Sequence, residues 1–156
     1  MQPPRFVMFL CSGNYYRSRY AEILFNWKAR TKGVGWQAYS RGLEIDDRNP
    51  GPMSVHTQAA LGKLAISFDE HLRFPLSVTE ADFRQANHIV AVKEAEHRAM
   101  LTRKFPAWLE QVEFWHIDDL DCSASEHALP QLDRQIDALL ERLSQSLLRE
   151  CPRPSE

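Results

Sequence analysis

Cysteine is scarce in this chain, with three in 156 residues. An odd count spread over Cys11, Cys122 and Cys151 cannot build the disulfide framework of a small secreted domain, so a reducing, cytoplasmic setting is expected. A surplus of positive charge is missing as well. Nineteen Lys and Arg stand against 21 Asp and Glu, leaving a net charge of −2. That balance argues against a nucleic-acid partner, which would call for a basic excess. No apolar run approaches the ~18 residues of a membrane span, so no membrane partner is expected. Phe6–Leu10 is also too short for the core of a signal peptide. Repeats, low-complexity tracts and linker-like stretches are lacking too. What remains is ordinary globular usage, 44% hydrophobic and 26% charged. The length suits one domain, expected over residues 1–150 with a Pro-rich tail at 151–156.

Within that domain, short apolar runs alternate with stretches of helical period. Strands are expected at Phe6–Leu10, Trp36–Ser40, His88–Val92 and Val112–Ile117. Helices are expected from Ser18 to the glycines at 33 and 35, over Val55–Leu64, behind a Thr79 cap, and over Glu94–Arg103. Ser18 with Glu22 suits the first of these starts. A last, long helix carries the stripe Leu129, Leu132, Ile136, Leu139, Leu140, Leu143 and Leu147. Arg41–Met53, Ala65–Ser77 and Asp118–His127 read as loops. The alternation implies an α/β fold with a parallel sheet covered on both faces, and ligands beyond the carboxyl ends of its strands.

Attention therefore falls on Cys11-Ser12-Gly13-Asn14-Tyr15-Tyr16-Arg17-Ser18, between the first strand and the first helix. Successive N–H groups in such a turn form a nest for a tetrahedral anion, and the helix start adds its positive end. Gly13 permits unusual backbone angles, and Asn14 tolerates the left-handed region. Arg17 can grip two anion oxygens with its planar fork. An electropositive setting of this kind favours the thiolate form of a cysteine. A thiolate beside a bound phosphate can attack phosphorus and form a phosphocysteine, which water then cleaves. Ser18 could donate its hydroxyl to the sulfur and ease its departure.

Cys-x-Gly-Asn-x-x-Arg-Ser followed by Ala21-Glu22 resembles the signature of the low-molecular-weight protein tyrosine phosphatases. The resemblance continues at Ser40-Arg41-Gly42, at His71 and at Trp115–Asp119. It implies a three-layer α/β/α fold whose four-stranded parallel sheet has the order 2-1-3-4, with no metal and no cofactor. The nucleophile would be Cys11, with Ser12, Gly13, Asn14, Tyr15, Tyr16 and Arg17 around the phosphate. Asn14, Ser40 and His71 would hold the loop rigid. A leaving oxygen needs a proton, and the resemblance puts that acid at Asp119, with Asp118 and Asp121 as near rivals. The implied substrate is a phosphorylated protein or a small aryl phosphate, and phosphate, sulfate or vanadate would compete for the site.

Several positions depart from the family pattern. Tyr16 stands where many relatives carry a second Cys, so reversible disulfide protection of the nucleophile should be absent or altered. Cys122 and Cys151 are alternative partners for Cys11. Tyr15 argues against the arginine phosphatases, which are associated with Thr there. Arg19 replaces a Pro at a position that tolerates other residues. Leu120-Asp121-Cys122 replaces a Pro- and aromatic-containing loop, while Asn87 and Lys93 fall where many relatives have Asp. His56, His88, His97, His116 and His127 show no metal-ligand spacing and receive no role. Two other readings stay open: an arsenate reductase relaying oxidation through Cys122 or Cys151, and an anion-binding module without turnover.

Overall fold

A computed structural model describes residues 3–119 and 124–150, with side chains through 146. Leu120, Asp121, Cys122, Cys151 and the 151–156 tail lie outside the described residues. The chain runs β1 (Arg5–Cys11), α1 (Arg17–Lys32), β2 (Trp36–Gly42), α2 (Val55–Lys63), α3 (Glu80–Gln85), β3 (His88–Ala91), α4 (Glu94–Lys104), β4 (Val112–Phe114) and α5 (Ser125–Glu150). Short 3-10 turns lie at Asp69–His71 and Pro106–Gln111. The four strands pair in the order β2-β1-β3-β4, all parallel.

β1 lies inside the sheet, and its alternating side chains feed two cores. Val7, Phe9 and Cys11 join α1, α2 and α5 on one face; Met8 and Leu10 join α3 and α4 on the other. Burial on both faces explains why β1 reads as an unbroken apolar run rather than an alternating one. The α5 stripe packs as its period predicts. Leu129, Leu132, Ile136, Leu139, Leu140 and Leu143 are all buried, each fully covered residue contributing roughly 1.5–3 kcal/mol. Among the described residues no helix is long and apolar enough to cross a membrane.

Boundaries move for identifiable reasons. α5 begins at Ser125, inside the stretch expected to be loop, where His127 N and Ala128 N both bond Ala124 O. β4 stops at Phe114, but the backbone beyond it keeps bonding to the last residue of β3 and the next one, through Trp115 N to Ala91 O and Ile117 N to Val92 O. That continuation delivers Ile117, Asp118 and Asp119 to the carboxyl edge of the sheet. Thr79 caps α3 as expected, in a reciprocal capping box with Asp82.

Candidate active site

β1 ends at Cys11 and α1 begins at Arg17, so the intervening loop opens at the carboxyl edge between the two. Asn14 carries the left-handed turn, with φ 50°, and Gly13 does not. Of the two residues expected to accommodate unusual angles, Asn14 takes the left-handed one and Gly13 does not use its freedom in φ. The glycine that the loop requires is Gly42. A Cβ there would come within 2.8 Å of Ser12 O and 2.5 Å of Ile45 Cδ1. β2 can run this close because it pairs with β1 to the end, Cys11 opposite Gly42. It then continues along the loop, with Leu43 N on Cys11 O and Glu44 N on Ser12 O.

The N-cap of α1, Tyr16, makes no side-chain cap bond, so among the described residues the N–H groups of its first turn are left for a ligand. Ser18 is inside that turn and is not the cap. Its Oγ lies 2.9 Å from Cys11 Sγ instead. Asn14 Nδ2 donates to Ser18 Oγ at 2.8 Å and to Ser40 Oγ at 2.9 Å, which commits both amide hydrogens. Having accepted from Asn14, the Ser18 hydroxyl can direct its own hydrogen at the sulfur. Asn14 N also donates to Sγ, at 3.2 Å.

Behind Asn14 the network continues. Arg73 Nη1 donates to Asn14 Oδ1 at 2.9 Å, and Leu76 N does so at 3.1 Å. Ser40 Oγ donates to Glu22 Oε1 at 2.8 Å, and His71 Nδ1 sits 3.5 Å from Glu22 Oε2. His71 thus joins the support through Glu22 rather than by touching the loop side chains. Burial alone would push the Glu22 carboxyl up, but His71, Arg73, Ser40 and Arg19 outweigh it and hold the pKa below the ordinary value.

Arg19, read as a neutral replacement, is fully buried. It donates to the carbonyls of Asn14 (3.3 Å), Pro52 (2.9 Å) and His71 (2.6 Å). Burial and the nearby Arg73 charge bring its pKa down to about 10, against the pull of Glu22 and Cys11.

Arg17 is buried at the mouth, its Nη1 donating to Ile117 O at 2.9 Å. Burial opposes its charge, yet Cys11, Asp119 and Glu96 together raise its pKa. Asp119 Oδ2 is 3.6 Å from Arg17 Nη2, whereas Asp118 turns to Lys93 Nζ at 2.9 Å. Of these two adjacent carboxylates, Asp119 shares the opening with the sulfur. Tyr16 also lines it. Its hydroxyl is buried with no hydrogen-bond partner among the described residues, and burial followed by the Asp119 charge lifts its pKa to about 12.

Cys11, Ser12, Gly13, Tyr15, Tyr16, Arg17 and Asp119 all border one cavity of about 740 Å³, walled on the far side by Glu44–Asn49. Asn14, Ser18, Ser40 and His71 stand behind it. Sequence reasoning missed Arg19, Arg73, Glu96 and His97. Arg19 left a signal: a basic residue in the first turn of a helix opposes the dipole, so it needs another reason to be there. Arg73 and Glu96 left none, since a loop arginine and a first-turn acid are unremarkable locally.

A sulfur, a buried guanidinium and uncapped helix N–H groups around one opening are the features of an α/β protein that receives a tetrahedral oxyanion at its sheet edge. Residues 6–153 match the low molecular weight phosphotyrosine protein phosphatase family, and the chain belongs to that family. It is a phosphatase by that membership. A search of curated proteins by sequence gave no match. Among solved structures it is similar to YwlE arginine phosphatase from Geobacillus stearothermophilus, at 22% identity and TM-score 0.76, over 97% of this chain and 100% of that one. YfkJ from Bacillus subtilis is similar at 23% identity and TM-score 0.74, over 97% and 99%. Vibrio vulnificus Wzb in complex with benzylphosphonate is similar at 17% identity and TM-score 0.74, over 90% and 99%. At these identities the likeness establishes the fold, with the sheet order 2-1-3-4 and helices on both faces.

Proposed function

We propose that this chain hydrolyses phosphate monoesters, phosphotyrosine foremost, through a phosphocysteine on Cys11. The phosphoryl group enters the cradle of loop N–H groups from Ser12 to Arg17, and the Arg17 fork takes two of its oxygens. Sγ attacks phosphorus as the bond to the leaving oxygen breaks, and Asp119 gives that oxygen its proton. Water then attacks phosphorus and passes a proton to Asp119. The S–P bond breaks, and Ser18 donates to the departing thiolate.

The observation that carries this reading is the Ser18 hydroxyl, fixed by Asn14 and lying 2.9 Å from a sulfur that lines the same cavity as Arg17 and Asp119. The ring of Tyr15 supports an aryl substrate. It walls the cavity and is tied by its hydroxyl to Pro50 O at 2.6 Å, which offers a flat apolar face at the mouth. The substrate would be a phosphorylated protein or a small aryl phosphate, with phosphate, sulfate and vanadate as competitors. The enzyme would act as one domain in the cytoplasm. Hydrolysis of p-nitrophenyl phosphate by wild type and by Cys11→Ser tests the reading. Wild type should release p-nitrophenol continuously and the variant should release essentially none. Equal release by the two would refute it.

A further inference from the structure

Arg17 has a hydrogen on Nε and a pair on each Nη, and the structure shows where most of them go. Nη1 donates to Ile117 O at 2.9 Å and lies 3.4 Å from Glu96 Oε2. Nη2 lies 3.2 Å from Glu96 Oε1 and 3.4 Å from Oε2. Glu96 therefore meets the blunt end of the guanidinium, and Ile117 takes the outer hydrogen of Nη1. Among the described residues, the hydrogens left over are on Nε and on the outer side of Nη2. They are the parallel pair whose spacing matches two oxygens of a phosphoryl group. Asp119 Oδ2, a neighbour of the same Nη2 at 3.6 Å, borders the cavity with Arg17.

Glu96 is itself anchored, by Ser12 and by His97 behind it. Lys93 N donates to His97 Nδ1 at 3.1 Å, so the ring hydrogen of neutral His97 sits on Nε2. Nε2 is 3.1 Å from Ser12 Oγ and donates to it, which sends the Ser12 hydroxyl hydrogen to Glu96 Oε1. His97 is fully buried, and burial first, then the Arg17 charge, keep its pKa below the ordinary value. The chain of donors from Lys93 through His97 and Ser12 runs in one direction and ends on the Glu96 carboxylate. A carboxylate held this way, on the first turn of α4, is a fixed wall rather than a mobile occupant of the anion site.

We propose that Glu96 is a positioning residue: it holds the end of the Arg17 guanidinium so that the Nε and Nη2 hydrogens face the phosphoryl oxygens. The inference rests on the proposed function, in which Arg17 grips those oxygens. Its physical content is competition for the fork. Without Glu96, Asp119 is the nearest carboxylate to Arg17 among the described residues, and the two would capture each other, turning the fork and tying up the acid together. A misplacement of about 1 Å at a reacting centre can cost about 100-fold in rate.

The test uses Glu96→Gln and Glu96→Ala, each in the wild-type and the Arg17→Lys background, with p-nitrophenyl phosphate kinetics, orthovanadate inhibition and thermal unfolding. In the wild-type background we expect kcat/KM to fall about 10-fold for E96Q and about 10- to 100-fold for E96A, with vanadate inhibition weakened in parallel. In the Arg17→Lys background E96Q should change kcat/KM by less than about threefold, because no fork remains to be oriented. E96Q preserves volume, so the cycle stands on that variant even where E96A does not fold. An equal loss in both backgrounds would mean a merely structural glutamate and overturn the proposal. E96A as active as wild type, or more active, would also overturn it, by making Glu96 a competitor of substrate. Arg17→Lys that is itself fully active would remove the Arg17 reading, and this inference with it. An impaired Arg17→Lys beside a silent E96Q would remove the inference alone.

Discussion

Replacing Arg73 by Leu separates support of the loop from chemistry on it. Arg73 Nη1 donates to Asn14 Oδ1 at 2.9 Å and Nη2 to Ser40 O at 3.2 Å, while Nη2 also sits 3.3 Å from Glu22 Oε1. Hydrogen bonds to charged groups are worth about 1.5–3 kcal/mol each, but these share one partly exposed side chain and do not add. Glu22, whose side chain is 8% exposed, keeps Ser40 Oγ at 2.8 Å and His71 nearby, so it is not fully stranded. The cost should therefore fall below the ~3–5 kcal/mol of an orphaned buried ion, at about 2–3 kcal/mol. For a chain of this size that is about 4–12 °C in the unfolding midpoint at pH 7. The loss should depend on pH. The folded pKa of Glu22 lies below its unfolded value, so its contribution is complete above the unfolded pKa and fades as pH falls through the folded one. Arg73 is one of the partners that depress it. The gap between wild type and Arg73→Leu should thus be widest near neutrality and narrow in acid. Thermal unfolding from pH 7 to pH 3 measures both quantities. A midpoint unchanged at pH 7, or a gap that does not shrink in acid, would refute the account.

Asp119→Asn should slow hydrolysis of aryl phosphates with poor leaving groups by about 100-fold or more while leaving vanadate inhibition nearly intact. Steady-state kinetics over a series of substituted phenyl phosphates checks this, and an equal loss of both would point to a structural carboxylate. Gly42→Ala forces a methyl group against Ser12 O and Ile45, at 2.8 Å and 2.5 Å. It should destabilise the protein by about 1–3 kcal/mol and depress kcat, both readable on one preparation by denaturant unfolding and p-nitrophenyl phosphate turnover.

Much of the site is legible from local sequence because the loop is a local object. Cys11, Asn14, Arg17 and Ser18 lie within one strand–turn–helix connection, and their spacing alone brings them together. Even there, tertiary packing reassigned individual parts. Ser18 suits both a helix start and a donor to the sulfur; the helix begins one residue earlier, and only the place beside the sulfur remains. Of Gly13 and Asn14, both suited to unusual angles, the left-handed turn falls on Asn14, whose side chain also serves as the hub of the network. Asp118 and Asp119 were inseparable by composition. Lys93, arriving from the end of β3, paired with Asp118 and left Asp119 facing the opening.

The order and length of the buried runs were enough to indicate a parallel α/β sheet with its candidate site after the first strand, because hydrophobic periodicity and turn residues act over a few neighbours at a time. The arginines and carboxylates that steady that chemistry were decided only by the fold. Glu22 and Arg73, or Arg17 and Glu96, meet across 51 and 79 residues of chain. A charge carries no mark of its partner until the sheet brings the two within reach and withdraws the water that would otherwise screen them.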